Sequence, residues 1–135
     1  MKIVIYANVD KDWKNRIQTP YGIAQFRAYI SRHFITSDQT YTHPCAKAVS
    51  GDIIVWAFKD ENDTWQLLGD GFVSDKRKIE DYWAFGIEGA RLYPRNVPLD
   101  DLSFADSARK ALNVGYPLEW KQYKEILEKA SEPLV

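Results

Sequence analysis

Gly51-Asp52-Ile53-Ile54-Val55-Trp56-Ala57-Phe58 is the stretch that decides the fold. After the Gly-Asp turn the run from Ile53 to Phe58 is β-rich and apolar at odd and even positions alike, which predicts a central strand covered on both faces. Towards the C-terminus, the polar segment 59–64 leads to a second β-rich run, 65–74, interrupted by Gly69 and Gly71; the pair reads as a hairpin bulged at the glycines. Residues 75–81 are charged and expected to form a loop. Residues 82–87 and 90–93 read as two strands around Glu88-Gly89, and Pro94 and Pro98 should stop sheet pairing. Ser103 with Asp106 resembles a capping box opening a helix that ends near Gly115. Pro117 then starts a last helix with Trp120, Tyr123, Leu127 and Ala130 on its apolar face.

Towards the N-terminus, residues 36–50 carry no sustained period and read as a loop. Thr19-Pro20 looks like an N-cap followed by proline at the first helical position, with Ile23, Phe26, Ile30 and Phe34 spaced three and four apart as an amphipathic helix requires. Residues 2–7 alternate as a first strand that runs into the polar Asn8. The order is strand, helix, about four strands and two helices. It predicts an α/β chain of the α+β kind, with a strongly curved mixed sheet or small barrel flanked by helices.

At 135 residues with 45% hydrophobic content, the chain is expected to be a single domain over 1–135. The N-terminus lacks the longer apolar run of a secretory signal, and no apolar run approaches the roughly 20 residues of a membrane span, so a cytoplasmic protein is expected. One cysteine, Cys45, and two histidines, His33 and His43, supply neither a disulfide nor a zinc tetrad.

Candidate chemistry is sparse. His43-Pro44-Cys45 lacks a base placed for a thiol, and the acid pairs Asp10/Asp12 and Asp100/Asp101 fit a solvated loop and a helix start. Gly69-Asp70-Gly71 lacks the third glycine of a dinucleotide motif, and no Walker pattern occurs, so no cofactor and no catalysis are expected. Net charge is -1, but it is unevenly spread: residues 1–35 carry six Lys/Arg against two Asp, and 76–99 carry five against three acids. Aromatic residues reach 14%, with five Trp and eight Tyr, more than a core of this size requires. Some rings should wall a pocket for a flat ligand.

Three stretches carry a resemblance: Tyr6-Ala7-Asn8-Val9-Asp10-Lys11-Asp12-Trp13, then Gly51 to Trp56 with Gly69-Asp70-Gly71-Phe72-Val73, then Ala90-Arg91-Leu92-Tyr93-Pro94-Arg95-Asn96-Val97-Pro98-Leu99. In this order they resemble the EVE domain of the PUA-like group, which is related to the YTH readers of methylated RNA. Val9 departs from the pattern, in which proline commonly follows the Asn. The resemblance implies a non-catalytic, DNA-binding reader that flips a modified, for example methylated, base into an aromatic cage, as in modification-dependent restriction and defense systems. The chain would then be a recognition domain of a longer protein or a complete small protein, working with a fused or separate nuclease or motor. Trp13, Trp56 and Trp83, with Tyr6, Tyr93 and Asn8, are the base-binding candidates. Lys11, Lys14, Arg16, Lys76, Arg77, Lys78, Arg91 and Arg95 are the phosphate-binding candidates. The alternatives are an RNA-binding PUA-like module, or a small-molecule-binding or hydrolase domain on the same fold.

Overall fold

The computed structural model describes residues 1–7, 22–32, 40–43, 47–60, 62–112 and 114–131. In chain order the elements are β1 (Ile3–Ala7), α1 (Ile23–Ile30), β2 (Thr40–His43), β3 (Ile53–Lys59), β4 (Trp65–Ile79) and β5 (Tyr82–Pro98). A 3-10 turn (Leu99–Asp101), α2 (Ala105–Arg109), β6 (Tyr116–Leu118) and α3 (Trp120–Ala130) follow. One six-stranded sheet runs β2-β5-β4-β3-β1-β6. β1 and β3 are parallel and the other neighbours antiparallel, so the sheet is mixed and mostly antiparallel and the class is α+β. Hydrogen bonding does not close the sheet into a barrel among the described residues. No helix there is long and apolar enough to cross a membrane.

β3 is central, as its sequence requires, and Ile53 to Phe58 are all buried. Strand alternation sends Ile53, Val55 and Ala57 to one face with Ile3 and Ile5, against Leu102, Ala108, Tyr123 and Ile126. Ile54, Trp56 and Phe58 go to the other face with Val4 and Tyr6, against Phe26 and Ile30 of α1. There the Phe26 and Phe58 rings stack at 4.3 Å. Each buried aliphatic or aromatic side chain contributes roughly 1.5–3 kcal/mol, so β3 is the strand whose loss would empty both cores.

The Gly-Asp turn before β3 has a physical function. Gly51 takes φ +91° and its N–H donates to the Val73 carbonyl at 2.8 Å. The buried Asp52 carboxylate accepts the N–H groups of Lys2 at 2.8 Å and Val49 at 2.9 Å, while its carbonyl accepts the N–H of Val73 at 2.8 Å. One residue thereby fixes the starts of β1 and β3 against β4.

Several sequence expectations are corrected. Residues 40–43, read as loop, form edge strand β2, because Thr40 to His43 find partners in Trp83 to Gly86. Residues 75–79, also read as loop, continue β4. Their charges tolerate a strand because this part of the ribbon is largely exposed, and pairing persists to Ile79 and Tyr82 around a turn with Glu80 at φ 53°. The two strands read over 82–93 are one, β5, which extends to Pro98. Between the Leu67–Val97 and Gly69–Leu92 pairs, Tyr93 to Asn96 stand opposite Leu68 alone. Pro94 occupies this bulge, where no ladder hydrogen bond is required of it, and Pro98 still pairs with Gln66.

α2 starts at Ala105 and ends at Arg109, without a side-chain cap. Ser103 instead donates its N–H and hydroxyl to Glu125 of α3 at 2.7 and 2.5 Å. Pro117 lies in β6, paired with Val4, and α3 starts after Glu119, whose N–H donates to Gln122 Oε1 at 2.8 Å. Tyr123, Ile126 and Ala130 form the buried stripe of α3, while Trp120 is 64% exposed. In α1, Phe26 and Ile30 are buried as expected; Thr19, Pro20 and Phe34 lie outside the described residues.

Asp52→Asn replaces one acceptor with a donor facing a backbone N–H. Urea unfolding should show a loss of roughly 1–3 kcal/mol with an unchanged m-value, and an unchanged midpoint would refute the role given to Asp52.

Candidate nucleic-acid interface

Asp70 sits on β4 between Gly69 and Gly71, and both glycines are needed for close approach. A Cβ on Gly69 would run into the Arg91 carbonyl across the bulge, and one on Gly71 would meet Ile87 Cγ2 at 2.7 Å and the Trp56 ring at 3.2 Å. The Asp70 carboxylate is buried and ringed by donors. Arg91 donates from Nε to Oδ1 at 2.9 Å and from Nη2 to Oδ2 at 3.1 Å. The hydroxyls of Tyr93 and Tyr123 donate to Oδ2 at 2.8 and 2.7 Å, and Arg91 Nη2 also reaches the Tyr123 hydroxyl at 3.1 Å. Burial, then the hydrogen bond to Asp70, pushes the Tyr123 phenol up to about 12. Burial and the Asp70 charge push Tyr93 well above its usual range, and the hydrogen bond to Asp70 raises Arg91. This network joins β4, β5 and α3.

Beyond the network the β4–β5 ribbon becomes basic. Lys76 Nζ lies 4.6 Å and Lys78 Nζ 5.7 Å from the centroid of the Trp83 ring, within the reach of cation–π attraction. Trp83 itself is half-buried against the α1-side core. Pairing sets Lys78 opposite Trp83 and exposed Arg77 opposite Ala84. Three successive cationic residues therefore sit on a hydrogen-bonded ribbon rather than on a loop, two of them held over one indole.

The remaining candidates do not form one cage. Tyr6 and Trp56 are buried together, at 0% and 1% exposure, and Tyr6 accepts the Ala48 N–H at 3.0 Å through its hydroxyl oxygen. Tyr93 is buried on the opposite face of the sheet, with Asp70. Tyr6 and Trp56 thus offer no ring face to solvent, and Tyr93 cannot share a slot with them. Only Trp83 of the described aromatic candidates approaches the surface. Arg91 has Nε and Nη2 committed to Asp70, which leaves its half-exposed side chain a structural duty before any phosphate contact. Arg95 lines a small hollow with Asn96, Pro98, Asp101 and Lys129, at the other end of β5 from Trp83. Asn8, Lys11, Trp13, Lys14 and Arg16 lie outside the described residues, as do Asp10, Asp12 and Cys45. Ala7, which leads into that segment, pairs with Ala57. Asp100 is ion-paired with Arg109.

Sequence reasoning missed one prominent feature. Trp120, assigned to the apolar face of the last helix, stands exposed at its first turn, beside Lys121 and Lys124. The Glu119-x-x-Gln122 cap, legible in the sequence, would have placed the helix start and hence Trp120 at its rim. Among the described residues, no group of three or more His, Cys, Asp or Glu side chains is placed to hold a metal ion. Compared with protein-family models, with curated proteins and with solved structures, the chain matches none of them.

The two raised phenols carry a pH signature. Below the unfolded value near 10 their contribution to stability is complete; above it the unfolded chain loses phenolic protons that the folded one keeps, so stability falls as pH rises towards 12. Urea unfolding between pH 10 and 12 should show a steeper decline for the native chain than for Tyr93→Phe/Tyr123→Phe. Equal slopes would mean that the phenols titrate normally.

Proposed function

We propose that this chain is a non-catalytic nucleic-acid reader of the PUA-like, EVE type, taking a flipped and modified base of DNA into an aromatic slot and holding the strand by its phosphates. The observation that carries the reading is the pair of ammonium groups of Lys76 and Lys78 poised over Trp83, with Arg77 beside them, on an exposed ribbon. Trp83 orients the lysines, and Arg77 and Lys78 are exposed beside it, an arrangement suited to a continuous anionic backbone. The mixed sheet with helices on both faces and the Gly51-Asp52 start of the central strand fit the resemblance.

Trp13 and Asn8, with the half-buried Trp83, are the remaining candidates for the slot itself, since Tyr6, Trp56 and Tyr93 are buried. Stacking of about 1–3 kcal/mol per base is of the size needed to offset flipping, and a buried methyl group adds about 0.8 kcal/mol, enough for a preference without a strongly basic surface. Cleavage or signalling would fall to a fused or separate effector.

Binding of modified and unmodified DNA and RNA oligonucleotides, followed by fluorescence anisotropy across a salt series, tests the reading. Lys76→Ala/Arg77→Ala/Lys78→Ala should weaken modified and unmodified ligands alike and lower the salt slope by about one unit per true contact. Trp13→Ala should weaken the modified ligand about 5- to 150-fold and shrink its advantage over the unmodified twin, with thermal unfolding unchanged. Trp56→Ala, by contrast, should destabilise the fold by roughly 3–5 kcal/mol. An unaltered affinity and salt slope in the triple variant would remove the ribbon from the interface.

A further inference from the structure

Strand alternation divides the cationic triplet. Lys76 stands opposite Phe85, Arg77 opposite Ala84 and Lys78 opposite Trp83, so Lys76 and Lys78 share the face of the ribbon that carries the Trp83 and Phe85 rings, and Arg77 lies on the other. On the shared face the two ammonium groups converge: Nζ of Lys76 lies 4.6 Å and Nζ of Lys78 5.7 Å from the centroid of one indole. That indole is half-buried, packed against the core that Phe85 builds with Phe26 and Ile30 of α1. A ring packed on the core and lying under two ammonium groups has little face left for a base.

Two like charges repel where they converge, and the negative face of the indole offsets part of that repulsion. The arrangement also orders the side chains. A lysine on an exposed strand samples many rotamers, and an anion that binds it must restrict them; a lysine already resting on a ring has fewer to lose. Lys76 and Lys78 stand two residues apart on one strand, roughly 6.8 Å. A pair of ordered cations at so short an interval suits an anion that repeats, as the phosphates along one nucleic-acid strand do.

We propose that Trp83 is a positioning residue of the ribbon site: it holds Lys76 and Lys78 for the phosphates of one strand, on the α1 side of the sheet, and stacks on no base. The proposal rests on the nucleic-acid reading of the domain and deepens it, because it takes Trp83 out of the slot and leaves the slot to Trp13 and Asn8. A positioning role has a signature that a phosphate contact and a slot wall both lack. Removing the ring leaves both charges in place, so affinity falls while the number of counterions displaced on binding does not.

The test starts without ligand. In proton-carbon NMR spectra of the full chain, the ε-methylene protons of Lys76 and Lys78, assigned with Lys76→Arg and Lys78→Arg, should be shifted upfield by the indole ring current. Trp83→Leu should return them to the positions of the other lysines, and Trp83→Phe should keep part of the shift. Trp83→Met, a flexible apolar side chain without a ring, serves if Trp83→Leu does not fold. Duplex oligonucleotides with and without a modified base are then titrated across a salt series. Trp83→Leu should weaken both about 5- to 30-fold with the salt slope unchanged, and Trp83→Phe should recover most of the loss. Lys76→Ala/Lys78→Ala should instead lower the slope by about 0.9 per contact. Unshifted lysine signals in the native chain would overturn the proposal. So would a Trp83→Leu protein that binds both duplexes as the native chain does, a result that leaves the nucleic-acid reading standing. A selective loss of the modified ligand would place Trp83 in the slot instead. If no oligonucleotide binds the native chain at low salt, the nucleic-acid reading falls and this role falls with it.

Discussion

The carboxylate of Asp70 lies inside the protein, and an ion withdrawn from water has to be surrounded by donors. Here they come from Arg91 and Tyr93 of β5 and Tyr123 of α3. Removing a partner from such a buried charge typically costs 3–5 kcal/mol, so the network holds β5 to its register on β4 and α3 across the sheet. Gly69 and Gly71 make room for it. Tyr123 is both a donor to Asp70 and a wall of a groove along α3, so the buried charge and the groove share one residue.

The ribbon answers to a different constraint. From Asp75 to Ile79 it has left both cores, and its strand character depends on cross-strand pairing with Tyr82 to Gly86 and on the Trp83 ring. That freedom from the core is what permits consecutive cationic side chains on a strand. Gly86 N–H donating to Asp75 Oδ1 at 3.1 Å helps to brace the irregular junction where the ribbon departs.

This division also accounts for what the sequence made legible. β3 announced itself because burial on both faces leaves an uninterrupted apolar run, and the Phe26/Ile30 spacing gave α1. The class, a mixed sheet with helices, followed from these. The outer half of β4 was illegible because an exposed strand has no hydrophobic alternation to display, and β2 and β6 are too short for a period and exist through distant partners. For the site, the cationic triplet at 76–78 and Trp83 could be singled out, but not that the lysines sit over that ring. Nothing local links Asp70 to Tyr123, which lies 53 residues away. Composition argued that some rings must be exposed; it could not say that Trp120 was one of them and Trp56 was not.

β6 closes one side of β1 with Tyr116, Pro117 and Leu118, so β1 obtains its outer neighbour from a segment far along the chain. During synthesis β1 has an open edge until Tyr116 to Leu118 have been made, and a bare apolar strand edge invites pairing with other chains. Pro117 sits in that late-arriving strand, without a backbone N–H to offer a further strand on its outer side. β6 is in this sense a seal: it covers the edge of β1 as well as extending the sheet, and shortening the chain before Tyr116 would leave that apolar edge open to other chains.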